Sequence, residues 1–220
     1  MNKEKFLQFI ESLFEVNQKI NLISRETKKE DFFNKHIFDS VKILEYLDFS
    51  NVGTLLDIGS GGGIPGIPLA IELPNATVTL LDSTEKKMKA AKEILKEIGV
   101  ENVKTAVGRI EELGHDPNFR ESFDVVTARA VAPLPTLLEY ALPFVKVGGH
   151  FIAYKSKNYS EELAICDEAL KLLGGKLIAT HEYTLPADSG ERVYLVFEKI
   201  KETPEKYPRR IGVPKKSPLI

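Results

Sequence analysis

The chain has 220 residues, 43% of them hydrophobic, and one cysteine, Cys166, so it can bury one sizeable core but cannot close an internal disulfide. No apolar run approaches the length of a membrane span and no early stretch resembles a secretion signal, so a cytoplasmic protein is expected. The formal charge of −2 identifies no partner until it is divided: residues 201–220 carry +4, leaving −6 for the rest.

Taken in order, Phe6, Phe9, Ile10, Leu13, Phe14 and Ile20 recur at helical spacing between polar residues and predict an amphipathic N-terminal helix. One or two further helices are expected over 31–46, with Phe32, Ile37, Val41, Leu44 and Leu47 on the apolar face. From Thr54 the pattern alternates. Strands are predicted at 54–58, 77–82, 103–107, 123–127 and 149–154, with helices at 66–73, 84–98 and 134–142. Such alternation gives a parallel sheet covered on both faces. A helix over 160–173 ends at Gly174-Gly175, and runs 176–185 and 192–199 form a hairpin around Pro186–Gly190. The expected fold is therefore α/β: a Rossmann-like, seven-stranded class I methyltransferase arrangement with an N-terminal helical extension. It divides into the extension (1–50), a cofactor-binding domain (51–200) and a basic, proline-rich tail (201–220).

Residues 55–66 place an acid and five glycines in one turn between a strand and a helix, as close approach of a nucleotide-like ligand requires. Gly61–Gly66 satisfies the dinucleotide spacing, but a glycine cluster satisfies almost any spacing. Asp57 is the better discriminator. Standing before Gly59, it would repel a pyrophosphate and favour the ammonium and sulfonium of S-adenosylmethionine. Asp82, closing the next apolar run, stands where a ribose diol needs an acceptor in either cofactor. Asp57, Asp82, Arg109 and Arg129 all fall at or just after strand ends, where open α/β sheets bind ligands.

The type of methylation is narrowed by what the motifs omit. Phe123–Val126 leads into Thr127-Ala128-Arg129-Ala130, without the Asn or Asp-Pro-Pro-aromatic element usual for adenine amino groups. Cys166, expected mid-helix as a small buried hydrophobe, is misplaced for covalent attack on a pyrimidine. Guanine N7 has an exposed lone pair and no proton, so positioning alone would suffice there.

Asn21–Ser24, Lys35–Ser40, Asp57–Pro68, Leu81-Asp82-Ser83 with Lys86, Gly108–Glu112, Arg129-Ala130, Tyr154-Lys155 and the tail Lys206–Arg210 through Lys216–Pro218 together resemble the RsmG (GidB) family of 16S rRNA guanine-N7 methyltransferases over nearly the whole chain. The resemblance implies methyl transfer from S-adenosylmethionine, with S-adenosylhomocysteine as product, to a guanine in the decoding-region (530) loop of 16S rRNA. The substrate would be free RNA, the 30S subunit or an assembly intermediate, with no metal and no membrane, and the enzyme a monomer.

Residue by residue, the resemblance assigns cofactor contact to Gly59, Ile64, Ile110, Glu111 and Arg129, joined by Asp57, Gly61 and Asp82 from the reading above. It assigns substrate or catalytic roles to His36, Lys86, Arg109, Arg129 and Lys155. Ile23, Lys35, Ala128 and Ser156 depart from the usual Thr, Arg, Ser and Gly. Plainer readings stand beside these. His36 and Asp39, three apart on a helix, form either a site pair with the carboxylate orienting the imidazole or a surface contact. Lys155 receives a phosphate or solvates a sheet edge, and Glu111 caps a helix start. In the tail, four prolines are expected to hold the segment extended, leaving Arg209, Arg210, Lys215, Lys216, Lys201 and Lys206 free to track phosphates. Six such contacts would give a log–log salt slope of ~4. A methyltransferase for a small molecule or protein, and a cofactor-sensing module, are the alternatives.

Overall fold

A computed structural model describes residues 1–220, the side chain of Asp188 apart. The chain opens with α1 (Lys3–Asn17), α2 (Lys29–Phe32) and α3 (Phe38–Val41), the last two joined by a π-helical turn over Phe33–Ile37. That turn explains how Phe32 and Ile37, five residues apart, both reach zero exposure: i→i+5 bonding brings them to one face. Leu44 and Leu47, expected in the same stripe, are only partly buried, and Ile43 takes the core position instead.

The sheet follows as β1 (Thr54–Ile58), α4 (Gly66–Glu72), β2 (Thr77–Asp82), α5 (Glu85–Ile98), β3 (Val103–Val107), α6 (Ile110–Leu113), β4 (Phe123–Arg129), α7 (Leu134–Ala141), β5 (Val145–Ser156), α8 (Tyr159–Leu163), α9 (Asp167–Leu173), β6 (Gly175–Thr184) and β7 (Glu191–Lys199). The strand order is 3-2-1-4-5-7-6, parallel from β3 to β5 and antiparallel at β7 and β6. The order reverses between β1 and β4, which opens a crevice at their carboxyl ends.

Two expectations are corrected here. The helix expected over 160–173 is broken into α8 and α9, and Cys166 lies at the junction rather than mid-helix; it is buried, and burial pushes its thiol up to about 12. The tail is not extended: Pro214 sits in the first turn of α10 (Val213–Lys216), where its missing N–H costs nothing, and the segment is folded onto the domain.

One apolar layer joins α1, α4 and α5 to one face of the sheet; the other joins α7, α9 and Tyr207 of the tail to the opposite face. Phe6, Phe9 and Leu13 of α1 have no exposure, each stabilising by about 2 kcal/mol on burial. The N-terminal helices thereby share the core of the sheet.

Candidate active site

The glycine turn between β1 and α4 is built by its two acids. Asp57 is fully buried; its Oδ2 accepts from Gly66 N–H at 3.1 Å and its Oδ1 from the Thr127 hydroxyl at 3.0 Å. Asp82 Oδ2 accepts from Gly61 N–H at 3.1 Å and Oδ1 from Thr84 N–H at 2.9 Å. Gly59, Gly61 and Gly63 take φ of 65°, 54° and 82°, conformations that side-chain-bearing residues rarely adopt. At Gly66 the reason is different: a Cβ would lie 2.3 Å from Leu80 and 3.0 Å from Asp57.

Beyond this turn lies a cleft of about 430 Å³ lined by Gly59, Asp82, Ser83, Gly108–Glu111, Val131–Pro133, Tyr140 and Lys215. Its size and its acid-and-glycine wall fit a nucleoside-bearing cofactor. A Cβ on Gly59 would lie 2.7 Å from Val131, so a side chain there would collide with the cleft wall. In its lining Glu111 is buried, and its Oε1 accepts from Gly212 N–H at 3.1 Å and Tyr140 OH at 3.3 Å and faces Arg109 at 3.4 Å. Burial opposes its charge, but Gly212, Arg109 and Tyr140 outweigh it and hold the carboxyl below its ordinary range.

A second cleft, about 350 Å³, is lined by Lys35, His36, Asp39, Arg129, Ala130, Ala132, Leu137, Tyr154, Lys155, Ser156, Glu162 and Arg192. Ala132 lines both clefts, and Arg129–Ala132 form the wall between them. Ala130 has φ of 58°, a left-handed conformation at the turn where β4 hands over to that wall.

The second cleft has a charged floor. Arg129 donates to Asp39 Oδ2 at 2.9 Å, while Tyr183 OH donates to Asp39 Oδ1 at 2.6 Å. The expected orientation of His36 by Asp39 does not occur, because Arg129 and Tyr183 take both carboxylate oxygens. His36 Nδ1 is buried without a hydrogen-bond partner among the described residues. Burial, with Arg129, Arg192 and Lys35, pushes its imidazole down to about 4, so it is neutral at physiological pH. Lys155 donates to Glu162 Oε2 at 2.6 Å, and the same oxygen accepts from Leu134 N–H at the start of α7.

The sixteen residues singled out from sequence therefore separate. Gly59, Asp82, Arg109, Ile110, Glu111 and Lys215 line the first cleft; His36, Arg129 and Lys155 line the second. Asp57 is sealed beneath the turn and Gly61 donates to Asp82, so both shape the loop. Ile64 points into the core. Lys86 is exposed in the first turn of α5, and Arg210 and Lys216 are exposed on the tail. Arg209 is not free for a phosphate: it grips the fully buried Glu139 bidentately, with Nε–Oε1 at 2.9 Å and Nη2–Oε2 at 2.7 Å. Thr127, Val131–Pro133, Tyr140, Glu162 and Arg192 escaped the sequence reading. Glu139, an acid inside the otherwise apolar Leu134–Ala141, was the one legible signal of a buried partner.

Among the described residues no group of three or more His, Cys, Asp or Glu could hold a metal ion, and no helix is long and apolar enough to cross a membrane.

The family model described as GidB, rRNA small subunit methyltransferase G, matches residues 2–188. The ribosomal RNA small subunit methyltransferase G of an Exiguobacterium species is 44% identical over 216 residues, covering 98% of this chain and 90% of that protein. The protein of the same name from Brevibacillus brevis is 44% identical over 218 residues, covering 99% and 91%. Among solved structures, an O-methyltransferase from Bacillus cereus in complex with SAH aligns with a TM-score of 0.59 at 16% identity, covering 87% of this chain and 90% of that one. That likeness concerns the fold.

Proposed function

The chain belongs to the rRNA small subunit methyltransferase G family, and we propose that it transfers a methyl group from S-adenosylmethionine to N7 of one guanine in the 530 loop of 16S rRNA, releasing S-adenosylhomocysteine. The observation that carries this reading is the pair of clefts meeting at Ala132, one with the acid-and-glycine wall of a nucleoside site, the other with a neutral imidazole and a paired guanidinium. The acceptor is taken as free 16S rRNA, the 30S subunit or an assembly intermediate, met by a monomer in the cytoplasm.

S-adenosylmethionine, when bound, supplies an electrophilic methyl on a sulfonium centre. Asp82, at the end of β2, would accept from the ribose hydroxyls, and Gly59 with Ile110 and Glu111 would bound the nucleoside. Asp57 works from beneath by fixing the turn through Gly66. Across the wall, Arg129 offers a planar donor fork whose charge Asp39 already balances, suited to the O6 edge of guanine or to a phosphate. No proton leaves N7 on methylation, so the chain has only to hold the ring in line. The product purine is cationic, and a neutral His36 adds no opposing charge beside it.

The test is transfer of labelled methyl from S-adenosylmethionine to 16S rRNA and to 30S particles from cells lacking the modification, with mapping of the labelled base. N7-methylguanine at a single position is expected. No transfer to either RNA, with cofactor binding intact, would move the acceptor to a small molecule or a protein.

A further inference from the structure

The tail carries an unusual investment for a segment that could simply be solvated. Arg120 donates to the carbonyls of Thr203 and Tyr207 at 2.5 and 2.8 Å, and the His115 ring meets the Pro208 carbonyl at 2.7 Å. Glu139 has no exposure, and its hydrogen-bond partners among the described residues all belong to Arg209. A carboxylate buried in α7 is tolerable only while that guanidinium is docked on it. The strap so anchored then reaches the first cleft. Gly212 N–H donates to Glu111 at 3.1 Å, and the Pro214 carbonyl accepts from the Thr136 hydroxyl at 3.1 Å. Arg209 reaches forward to the Ser217 carbonyl at 2.8 Å. Lys215, between those last two pinned carbonyls, lines the cleft.

We infer that residues 212–217 are a wall of the cofactor cleft and that Lys215 contacts the adenine end of the bound cofactor, so that docking of the tail and binding of the cofactor are coupled. The inference rests on the cofactor reading above. Asp82, at the end of β2, marks the ribose position of that reading, which sets the base against Ile110 and Glu111, and Gly212 is bonded to Glu111. An ammonium there meets ring nitrogens that are acceptors only. Because the backbone on both sides of Lys215 is already fixed, little ordering entropy is lost when its side chain engages. Linkage then requires the cofactor to stabilise the docked tail by the same factor.

The experiment is calorimetric binding of S-adenosylhomocysteine and of 5′-methylthioadenosine, which lacks the amino-acid moiety, to the full chain, to Lys215→Met, to Lys215→Arg and to a chain ending at Ile211. Lys215→Met should weaken both ligands by a similar factor, about tenfold for a loss near 1.4 kcal/mol, with an unchanged thermal midpoint in the absence of ligand. Lys215→Arg should recover most of it. The shortened chain, which keeps the Arg209–Glu139 pair, should lose at least as much. Loss confined to S-adenosylhomocysteine would overturn the adenine-end placement, and equal affinities in all four proteins would overturn the inference entirely. Failure of the full chain itself to bind would overturn the cofactor reading beneath it.

Discussion

Asp57 and His36 are each held away from the protonation state they would have in water, in opposite senses. Burial pushes Asp57 up to about 7, with Asp82 adding to it and Thr127, Gly66 and Arg129 pulling back. A raised carboxyl contributes stability that is complete below its unfolded value of 3.8 and is lost as pH rises through about 7. His36, pushed down to about 4 from 6.5, does the reverse: its contribution is complete above 6.5 and is lost as pH falls through about 4. The two windows overlap, so the raw stability curve hides both. The thermal midpoint of the native chain minus that of His36→Asn, followed across pH, should fall below pH 6.5; a flat difference would contradict the neutral, buried imidazole. For Asp57, a cationic ligand nearby favours the carboxylate, so binding S-adenosylmethionine near pH 7 should expel part of a proton. Apparent binding enthalpies should then differ between buffers of different ionisation heat, and identical enthalpies would separate Asp57 from the cofactor.

At the scale of elements, the tail departs furthest from what its composition suggests. Prolines that exclude a long helix are compatible with a short one, because only the first turn has N–H groups to spare. The strap also spends its cations unequally. Arg209 is committed to Glu139, and Lys215, though exposed, lines the first cleft; Lys201, Lys206, Arg210 and Lys216 are exposed away from both roles. Replacing those four by Gln should lower the log–log salt slope of 16S rRNA binding by up to ~3, rather than the ~4 of six free charges. A slope unchanged by the fourfold replacement would place the RNA elsewhere on the surface. The break between α8 and α9 has a similar lesson: it puts Glu162 where it can hold both Lys155 and the start of α7.

For the whole molecule, the decisive contact is between chain regions ninety residues apart. Arg129 closes β4, Asp39 belongs to the N-terminal helices, and Tyr183 and Arg192 come from the terminal hairpin; all converge on one buried carboxylate. The Tyr194 hydroxyl adds a bond to the Asp39 carbonyl at 2.6 Å. The second cleft therefore exists only when three parts of the chain are assembled. Asp39→Asn should cost ~1.5–3 kcal/mol, the range for hydrogen bonds to a charged group, measured by denaturant unfolding. It should reduce methyl transfer while leaving S-adenosylhomocysteine affinity nearly intact, because Asp39 lines only the second cleft. Lost S-adenosylhomocysteine affinity, or unimpaired transfer, would contradict that division.

The amino-acid sequence by itself determined the elements whose cause is local. The 3.6-residue stripe of α1, the alternation of branched runs and helices from Thr54, and the glycine turn are written in neighbouring residues, and they account for the seven-stranded fold and for the places of Asp57, Asp82, Arg109 and Arg129 at or just after strand ends. The strand that begins at Val145, four residues before its expected start, and the broken helix at Cys166 were not legible, because pairing and packing with distant strands decide where such elements end. Only the tertiary structure decided which charges are free. A lysine, arginine or acid looks alike along the chain whether it is solvated or buried. It took the folding of α7 against the tail to commit Arg209 to Glu139, and the meeting of β4 with the N-terminal helices to give Asp39 to Arg129 rather than to His36. The desolvation penalty of a buried carboxylate enforces both pairings, and that penalty depends on what surrounds the group in space rather than on what stands beside it in sequence.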